Sequence, residues 1–220
     1  MRRILFLILL VLLALTAAFA QKNAPSSPWA TDVVARYWMQ NIVYQGANNQ
    51  GLKLDVWYRH DAKTPQPTLV YFHGGGWISG TKESSVYKFL PFLEKNWNIV
   101  NVEYRMAGQS VAPAAVEDTR CALRWVFRNA NQWHFDTNKI VLMGHSAGGH
   151  LSLITGMLPD GTGLDNQCYG DENLKVAAII NWYGITDVND LLQENNLRSW
   201  AKSGWEASRT PRKSPKEFRL

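Results

Sequence analysis

Residues 139–149 read KIVLMGHSAGG, and this stretch decides which fold the chain can adopt. It begins with an apolar run of the kind that a strand buried on both faces requires. After the glycines, apolar residues recur at helical spacing, namely Leu151, Leu153, Ile154 and Met157. The chain therefore passes from strand to helix across Ser146, which predicts a tight turn that lifts the serine hydroxyl above a sheet.

Gly144 and Gly148 flank this serine, and the turn explains why both are glycine. A side chain at either position would collide with the neighbouring backbone or helix. The helix that starts here points its free amides at any negative charge that forms beside the serine. The alternative interpretation is that Ser146 only caps a helix in a glycine-rich loop.

A second motif favours the catalytic interpretation. Residues 68–76 read TLVYFHGGG, which is another buried strand running directly into three glycines. Glycine adopts the backbone angles that let a loop present its amides inward. We expect the amides of Gly75, Gly76 and Ala147 to bind a developing oxyanion. Gly74 supports this loop, and we expect His73 to brace it through ring hydrogen bonds instead of acting as a base.

With both motifs in this order, the chain resembles the α/β-hydrolase family, and within it the HGGG-type esterases. It is most similar to secreted feruloyl and acetylxylan esterases of the BD-FAE type. The resemblance covers roughly residues 32–199 and includes VEYR at 102–105, APAAVED at 112–118 and NWYGITD at 181–187. Similar segments recur in kynurenine formamidases and in the prolyl-peptidase branch.

The resemblance implies an α/β fold, with a mostly parallel sheet, helices on both faces and the last strands missing. It also implies a serine carboxylesterase in which Ser146 forms an acyl-enzyme, acting on acetyl or feruloyl esters of plant polysaccharide. Two alternatives stay open. One is an amidase, formamidase or peptidase of the same fold, and the other is an inactive truncated product or a binding protein.

The periodicity of the chain predicts one domain of alternating strands and helices. Two antiparallel strands come first, around 42–44 and 52–58. Further strands are expected near 68–72, 98–103, 140–143 and 176–182. Helices are expected near 84–95, 114–131, 146–157 and 188–194.

The acid and the histidine of a catalytic triad are expected to be absent from this chain. In this fold they follow the nucleophile in chain order, and no histidine occurs after His150. His145 should point away from the site, and His150 should face the packing around the turn. His134 lies in a loop that enters a strand, and His60 ends an early strand. Asp187 follows a strand, but we expect it to brace a loop or cap a helix.

The first twenty residues read as a secretory signal peptide. A short basic start precedes an apolar core and the small-x-small site Ala18-Phe19-Ala20. We therefore expect a secreted or periplasmic protein with no membrane association after cleavage; a retained anchor is the alternative. The formal charge is +5. This excess lies in Arg2, Arg3 and residues 202–220, so it does not indicate nucleic-acid binding.

Residues 21–201 form the predicted partial hydrolase domain, and residues 202–220 form an atypical basic tail without periodicity. With suitably chosen codons, a shifted reading frame turns this tail into EWVGSQPNPEEIAKRVSP, which resembles a natural continuation of the family. We therefore expect a frameshift near codon 202 that removed the acid, the histidine and the closing strands. An exposed sheet edge and weak stability would follow. The alternative is a disordered basic tail.

The chain has two cysteines, Cys121 and Cys168. An even number in an exported protein permits one disulfide, and two buried thiols are the alternative. No metal-ligand cluster, phosphate loop or dinucleotide fingerprint occurs, so we expect no metal and no cofactor. The expected partner is a small or polysaccharide-linked ester, and the sequence leaves the oligomeric state open.

Overall fold

A computed structural model describes residues 28–47, 50–159 and 161–193. The predicted signal peptide and the basic tail both lie outside the described residues. Helix α1 (Pro28–Arg36) belongs to one compact unit, and the residues from Tyr37 onward belong to a second. Within α1, Arg36 forms an ion pair with Asp32 one helical turn earlier.

The second unit contains a six-stranded mixed sheet. Its strands are β1 (Tyr37–Ala47), β2 (Gln50–Arg59), β3 (Gln66–Phe72), β4 (Asn98–Val102), β5 (Phe135–His145) and β6 (Ala178–Trp182). They lie in the order β1-β2-β4-β3-β5-β6. β2 is antiparallel to both of its neighbours, whereas β4, β3, β5 and β6 run parallel. The predicted α/β architecture with a mostly parallel sheet is therefore confirmed.

Helices connect the parallel strands. They are a 3₁₀ helix (Lys82–Lys88), α2 (Leu90–Glu94), α3 (Ala114–Arg128), α4 (Ala130–Trp133) and α5 (Ala147–Met157). A second 3₁₀ helix covers Asp190–Leu192. α5 packs on β5, β6 and β3, and α3 packs on α5. None of the helices in the described ranges is long and apolar enough to cross a membrane.

The two central strands carry the site. Phe72 of β3 and Gly144 of β5 are paired in parallel register, so both strands end at the same edge of the sheet. Residues 69–72 are fully buried, as are Ile140, Leu142 and Met143. These apolar residues are shielded on both faces of the sheet, as the continuous apolar runs predicted.

Several predicted elements have different bounds in the structure. The helix expected at 84–95 divides into a 3₁₀ helix and α2, since Pro91 fits only the first turn of a new helix. The helix expected at 114–131 ends at Arg128, and the short α4 follows it to Trp133. The prediction of a helix at 188–194 is wrong, because the described part of this segment contains only a single 3₁₀ turn, Asp190–Leu192. Residue 194 lies outside the described residues.

A disulfide joins Cys121 of α3 to Cys168 in the loop before β6. Ion pairs hold the same loop, because the Asp165 carboxylate accepts from Arg120 at 2.8 Å and from Arg124 at 2.7 Å. Arg120 also donates to the carbonyl oxygens of Thr155 and Leu158 at the end of α5, at 3.1 and 3.3 Å. One arginine thus connects this loop, α3 and the helix that follows Ser146.

Candidate active site

Ser146 lies at the junction of β5 and α5 with φ 53° and ψ −123°. A non-glycine residue rarely holds such angles, and the surrounding backbone must keep it there. The Ser146 amide donates to the carbonyl of Trp182 at 2.9 Å, and its carbonyl accepts from the His150 amide at 3.1 Å. The side chain is partly exposed. A strained, solvent-accessible serine between a strand and a helix is the arrangement of a nucleophile elbow.

Gly144 and Gly148 are required by close backbone contacts. A Cβ at Gly144 would collide with the carbonyl group of Gly148. A Cβ at Gly148 would collide with the carbonyl oxygens of Phe72 and His73. The close approach therefore joins the elbow to the end of β3, which is where the glycine loop begins.

The glycine loop turns sharply after β3. Gly75 has φ 127°, Gly76 has φ 59° and Trp77 has φ 60°. The carbonyl of Gly75 accepts from the amides of Ile78 and Ser79 at 3.1 and 3.0 Å. This turn directs one carbonyl into the loop itself. Within the described residues, no hydrogen bond engages the amides of Gly75 and Gly76.

Ala147 supplies a third amide. It is the first residue of α5, so its N–H has no partner within the helix, and the positive end of the helix dipole lies beside it. The three amides that we predicted as oxyanion donors therefore come from the glycine loop and from the start of this helix. Their role in binding an oxyanion stays a prediction.

His73 is completely buried and lies under the glycine loop. Its Nδ1 is 2.8 Å from the carbonyl oxygen of Gly74, and its ring stacks on Tyr104 with centroids 4.5 Å apart. The Tyr104 hydroxyl donates to the carbonyl of His73 at 2.7 Å. Burial lowers the pKa of His73, so the ring is neutral at pH 7. These contacts hold the ring at the start of the loop, and the bracing role of His73 stays a prediction.

The rings of His145 and His150 flank the elbow without bonding to the Ser146 hydroxyl. His145 Nδ1 is 2.7 Å from the Tyr71 hydroxyl, and burial lowers the pKa of His145 to about 4. His150 Nδ1 is 3.1 Å from the carbonyl oxygen of Ile185, and its ring lies edge-on to Trp77. Burial lowers the pKa of His150 as well. Both rings are therefore neutral at pH 7 and engaged in packing.

The two other histidines lie away from the elbow along the chain. His60 stacks on Trp38 of β1, and His134 is exposed after α4, where its φ is 52°. In the part of the chain that the structure describes, no histidine ring hydrogen-bonds to the Ser146 hydroxyl. None of the five rings is therefore placed in this structure to accept the serine proton directly.

Asp187 is exposed and follows β6. Its Oδ1 accepts from the backbone amide of Asn189 at 2.8 Å, which is a local turn of the kind that aspartate commonly forms. The bond is consistent with the loop-bracing role that we expected. Across the described ranges there is also no group of three or more His, Cys, Asp or Glu residues that could hold a metal ion.

Sequence reasoning missed two tyrosines that support the site. The hydroxyls of Tyr71 and Tyr104 reach His145 and the carbonyl of His73, respectively, from the ends of β3 and β4. In the sequence, Tyr71 belongs to a predicted buried strand and Tyr104 to a segment that resembles the family, and neither pattern indicates a supporting role. A usable signal was present: each hydroxyl-bearing side chain occurs where a buried strand ends, and a buried hydroxyl needs a polar partner.

Comparison with known proteins agrees with this geometry. The BD-FAE family model matches residues 54–214. Probable carboxylesterase 5 of Arabidopsis thaliana is 30% identical over 197 residues, which are 82% of this chain and 59% of that protein. Esterase LipC of Mycobacterium tuberculosis is 32% identical over 139 residues, which are 62% of this chain and 34% of that protein.

Solved structures show the same fold. The thermophilic esterase Est2 of Thermogutta terrifontis, with propionate bound, aligns with a TM-score of 0.61 and 27% identity. That alignment covers 77% of this chain and 60% of Est2. A bifunctional GH43-CE protein of Bacteroides eggerthii aligns with a TM-score of 0.64 at 25% identity, over 77% of this chain and 24% of that one. The α/β-hydrolase fold is thereby confirmed, although the chain spans only about a third to three fifths of its curated relatives' length.

Proposed function

Because the chain belongs to the BD-FAE family, we propose that it is a serine carboxylesterase that works through an acyl-enzyme. The observation that carries the proposal is the conformation of Ser146, which is held at φ 53° between β5 and α5. The amides of Gly75 and Gly76 have no hydrogen-bond partner among the described residues, and their loop follows β3, which ends at the same edge of the sheet as β5. Nothing in a purely structural turn requires this combination.

In the proposed reaction, the Ser146 hydroxyl attacks the ester carbonyl and loses its proton to a base. The carbonyl oxygen becomes an oxyanion, which the amides of Gly75, Gly76 and Ala147 stabilise. The intermediate collapses, the alcohol leaves with a proton, and Ser146 carries the acyl group. Water then attacks this ester, and the acid is released as the serine recovers its proton.

No residue is assigned as the base that accepts the serine proton in this mechanism. The chain has five histidines, and His73, His145 and His150 hold their rings in contacts with other groups. This observation favours a second candidate function, in which the chain binds the carbonyl group of an ester or acid without turning it over. A comparison of binding with turnover separates the two candidates.

The finer proposal is that the acyl group is acetyl or feruloyl and that the alcohol belongs to a plant polysaccharide. The resemblance to secreted feruloyl and acetylxylan esterases supports it, and Est2 has been solved with butyrate and with propionate bound. An amide or formamide bond is the alternative within the same fold. Parallel assays on acetyl esters, feruloyl esters and formyl-amides distinguish these substrates.

We also propose that the protein is secreted or periplasmic. The basic start, apolar core and small-x-small site of residues 1–20 support export. The disulfide between Cys121 and Cys168 fits an oxidising compartment. Detection of a chain that begins near Gln21 outside the cytoplasm would test this proposal.

The decisive experiment is hydrolysis of 4-nitrophenyl acetate by the purified chain and by Ser146→Ala. We expect turnover by the parent that falls to the uncatalysed rate in the variant. Ser84→Ala is the matched control, since Ser84 is exposed and its hydroxyl bonds only locally, to the carbonyl of Thr81 at 2.7 Å. Equal turnover by the parent and Ser146→Ala would overturn the proposal. Binding of acetate without turnover would support the second candidate.

A further inference from the structure

The residue before the nucleophile is in contact with the glycine loop. The Tyr71 hydroxyl lies 2.7 Å from His145 Nδ1, and Tyr71 is completely buried. Burial lowers the pKa of His145 to about 4, so the ring is neutral at pH 7 and its hydrogen bond to the Tyr71 hydroxyl holds Nδ1 in place. The bond therefore fixes the orientation of the ring.

The fixed ring lies directly against the first glycine of the loop. A Cβ on Gly74 would lie 2.7 Å from His145 Nε2 and 2.8 Å from the His145 carbonyl oxygen. Both distances are shorter than a van der Waals contact permits. The loop that carries the Gly75 and Gly76 amides is thus in direct contact with the residue that precedes Ser146.

A third segment closes around the same ring. Tyr183 follows β6 and meets His145 edge to face, with ring centroids 6.0 Å apart. Its hydroxyl is 3.5 Å from Lys88 Nζ, and Lys88 also lies over the ring of Trp182. His145 therefore contacts β3, the glycine loop and the segment after β6, while its own backbone continues into the nucleophile.

We propose that His145 is a positioning residue, which with Tyr71 sets the distance between the glycine-loop amides and Ser146. The proposal rests on the proposed esterase function and assigns a task to a histidine that takes no part in proton transfer. Its physical basis is the sensitivity of acyl transfer to geometry. Loss of one oxyanion donor reduces kcat by about 10²–10³-fold, and a displacement of about 1 Å has a comparable effect.

The test uses Tyr71→Phe, His145→Phe and the double variant, with kcat and KM measured on an acetyl ester well below each melting temperature. We expect kcat to fall about 10–100-fold in each single variant, while KM changes less than about threefold. Because both variants break the same bond, the double variant should lose little more than either single one. His145→Asn offers a side-chain amide, which can donate or accept, near the position of Nδ1, and it should recover much of the loss.

Tyr37→Phe is the matched control. The Tyr37 hydroxyl also donates to backbone carbonyls, those of Leu93 and Trp97 at 2.9 and 3.0 Å, but these residues lie outside the site. We expect its kcat to stay within about twofold of the parent. A similar loss in Tyr37→Phe, an unchanged kcat in His145→Phe, or fully additive losses would overturn the proposal.

Hydrogen exchange gives a readout that needs no turnover. In His145→Phe, we expect faster exchange in peptides covering residues 73–80, with no change in peptides covering β4. If the parent chain shows no Ser146-dependent hydrolysis, the proposed function fails, but this measurement still decides whether His145 holds the loop. Faster exchange throughout the protein, or an unchanged exchange rate at residues 73–80, would reject the positioning role.

Discussion

The Asp118 carboxylate accepts hydrogen bonds from both the backbone amide and the guanidinium of Arg105, at 2.7 to 3.0 Å. Both residues are buried, and Asp118 has no exposed surface at all. Arg105 directly follows Tyr104, whose hydroxyl holds the carbonyl of His73. The pair therefore secures the turn after β4 that supports the glycine loop from below.

Removal of the charge on Asp118 should destabilise the protein strongly. In Asp118→Asn the guanidinium loses its fully buried partner and keeps only the partly exposed Glu117 carboxylate, so we expect the free energy of unfolding to fall by about 3 kcal/mol. Glu117→Gln is the control, because Glu117 also reaches Arg105, at 3.2 Å, but is partly exposed. For Glu117→Gln, urea denaturation should show a change in the free energy of unfolding below about 1 kcal/mol. Equal effects of the two substitutions would contradict the assignment.

Gly148→Ala should abolish the native elbow. Its new methyl group would overlap the carbonyl oxygens of Phe72 and His73, which belong to backbone and cannot move aside cheaply. We expect a loss of at least about 3 kcal/mol in stability, together with loss of any ester hydrolysis. Gly108→Ala should change stability by less than about 1 kcal/mol, since nothing lies within 4 Å of its Cβ position. A folded, active Gly148→Ala protein would disprove the close packing described here.

Stability should fall when the pH drops from 7 to 5. Burial lowers the pKa of His73 and His150, and it lowers the pKa of His145 to about 4. Between that value and the ordinary histidine pKa of about 6.5, the unfolded chain binds more protons than the folded one. The stabilisation is therefore complete above about pH 6.5 and is lost as the pH falls toward 4.

We expect a loss of about 1 kcal/mol between pH 7 and pH 5 from His145, because its partial exposure to solvent weakens the effect of the pKa shift. Urea unfolding at a series of pH values measures it directly. In His145→Asn the pH dependence should become shallower than in the parent. An identical slope in the parent and His145→Asn would show that this ring does not titrate as described.

The disulfide should add several kcal/mol to stability. It closes a loop with a sequence separation of 47 residues. For a loop of this size, the loss of chain entropy in the unfolded state corresponds to about 4 kcal/mol. We expect a Cys121→Ala/Cys168→Ala double variant to lose about 2–4 kcal/mol. An unchanged mass after alkylation of the denatured, unreduced parent would verify the bridge, and two added alkyl groups would exclude it.

The central strands and the elbow could be predicted because their sequence signals come from burial on both faces. Residues 68–72 and 140–143 are apolar without interruption, and the structure places both in the middle of the sheet. The lengths of the two outer strands were underestimated, because polar residues such as Gln40 and Lys53 interrupt their apolar runs. Its eleven-residue β1 also contains an irregularity between Val43 and Gln45, which obscures the period of two.

Buried charge was the main feature that sequence patterns could not supply. Arg120 is only 1% exposed and Lys82 only 6%, although both residue types usually face solvent. Their partners, Asp165 and Asp55, lie 45 and 27 residues away along the chain. Pairings over such separations depend on tertiary folding, and no local periodicity encodes them.

The parallel register of Phe72 and Gly144 has a consequence for how such proteins diversify. The nucleophile and all three candidate amides lie between residues 73 and 147, at the ends of two adjacent strands. Insertions or substitutions that reshape a substrate pocket elsewhere in the chain leave this short span untouched. Selection can therefore exchange the preferred alcohol or acid across descendants while inheriting the reacting centre as a unit.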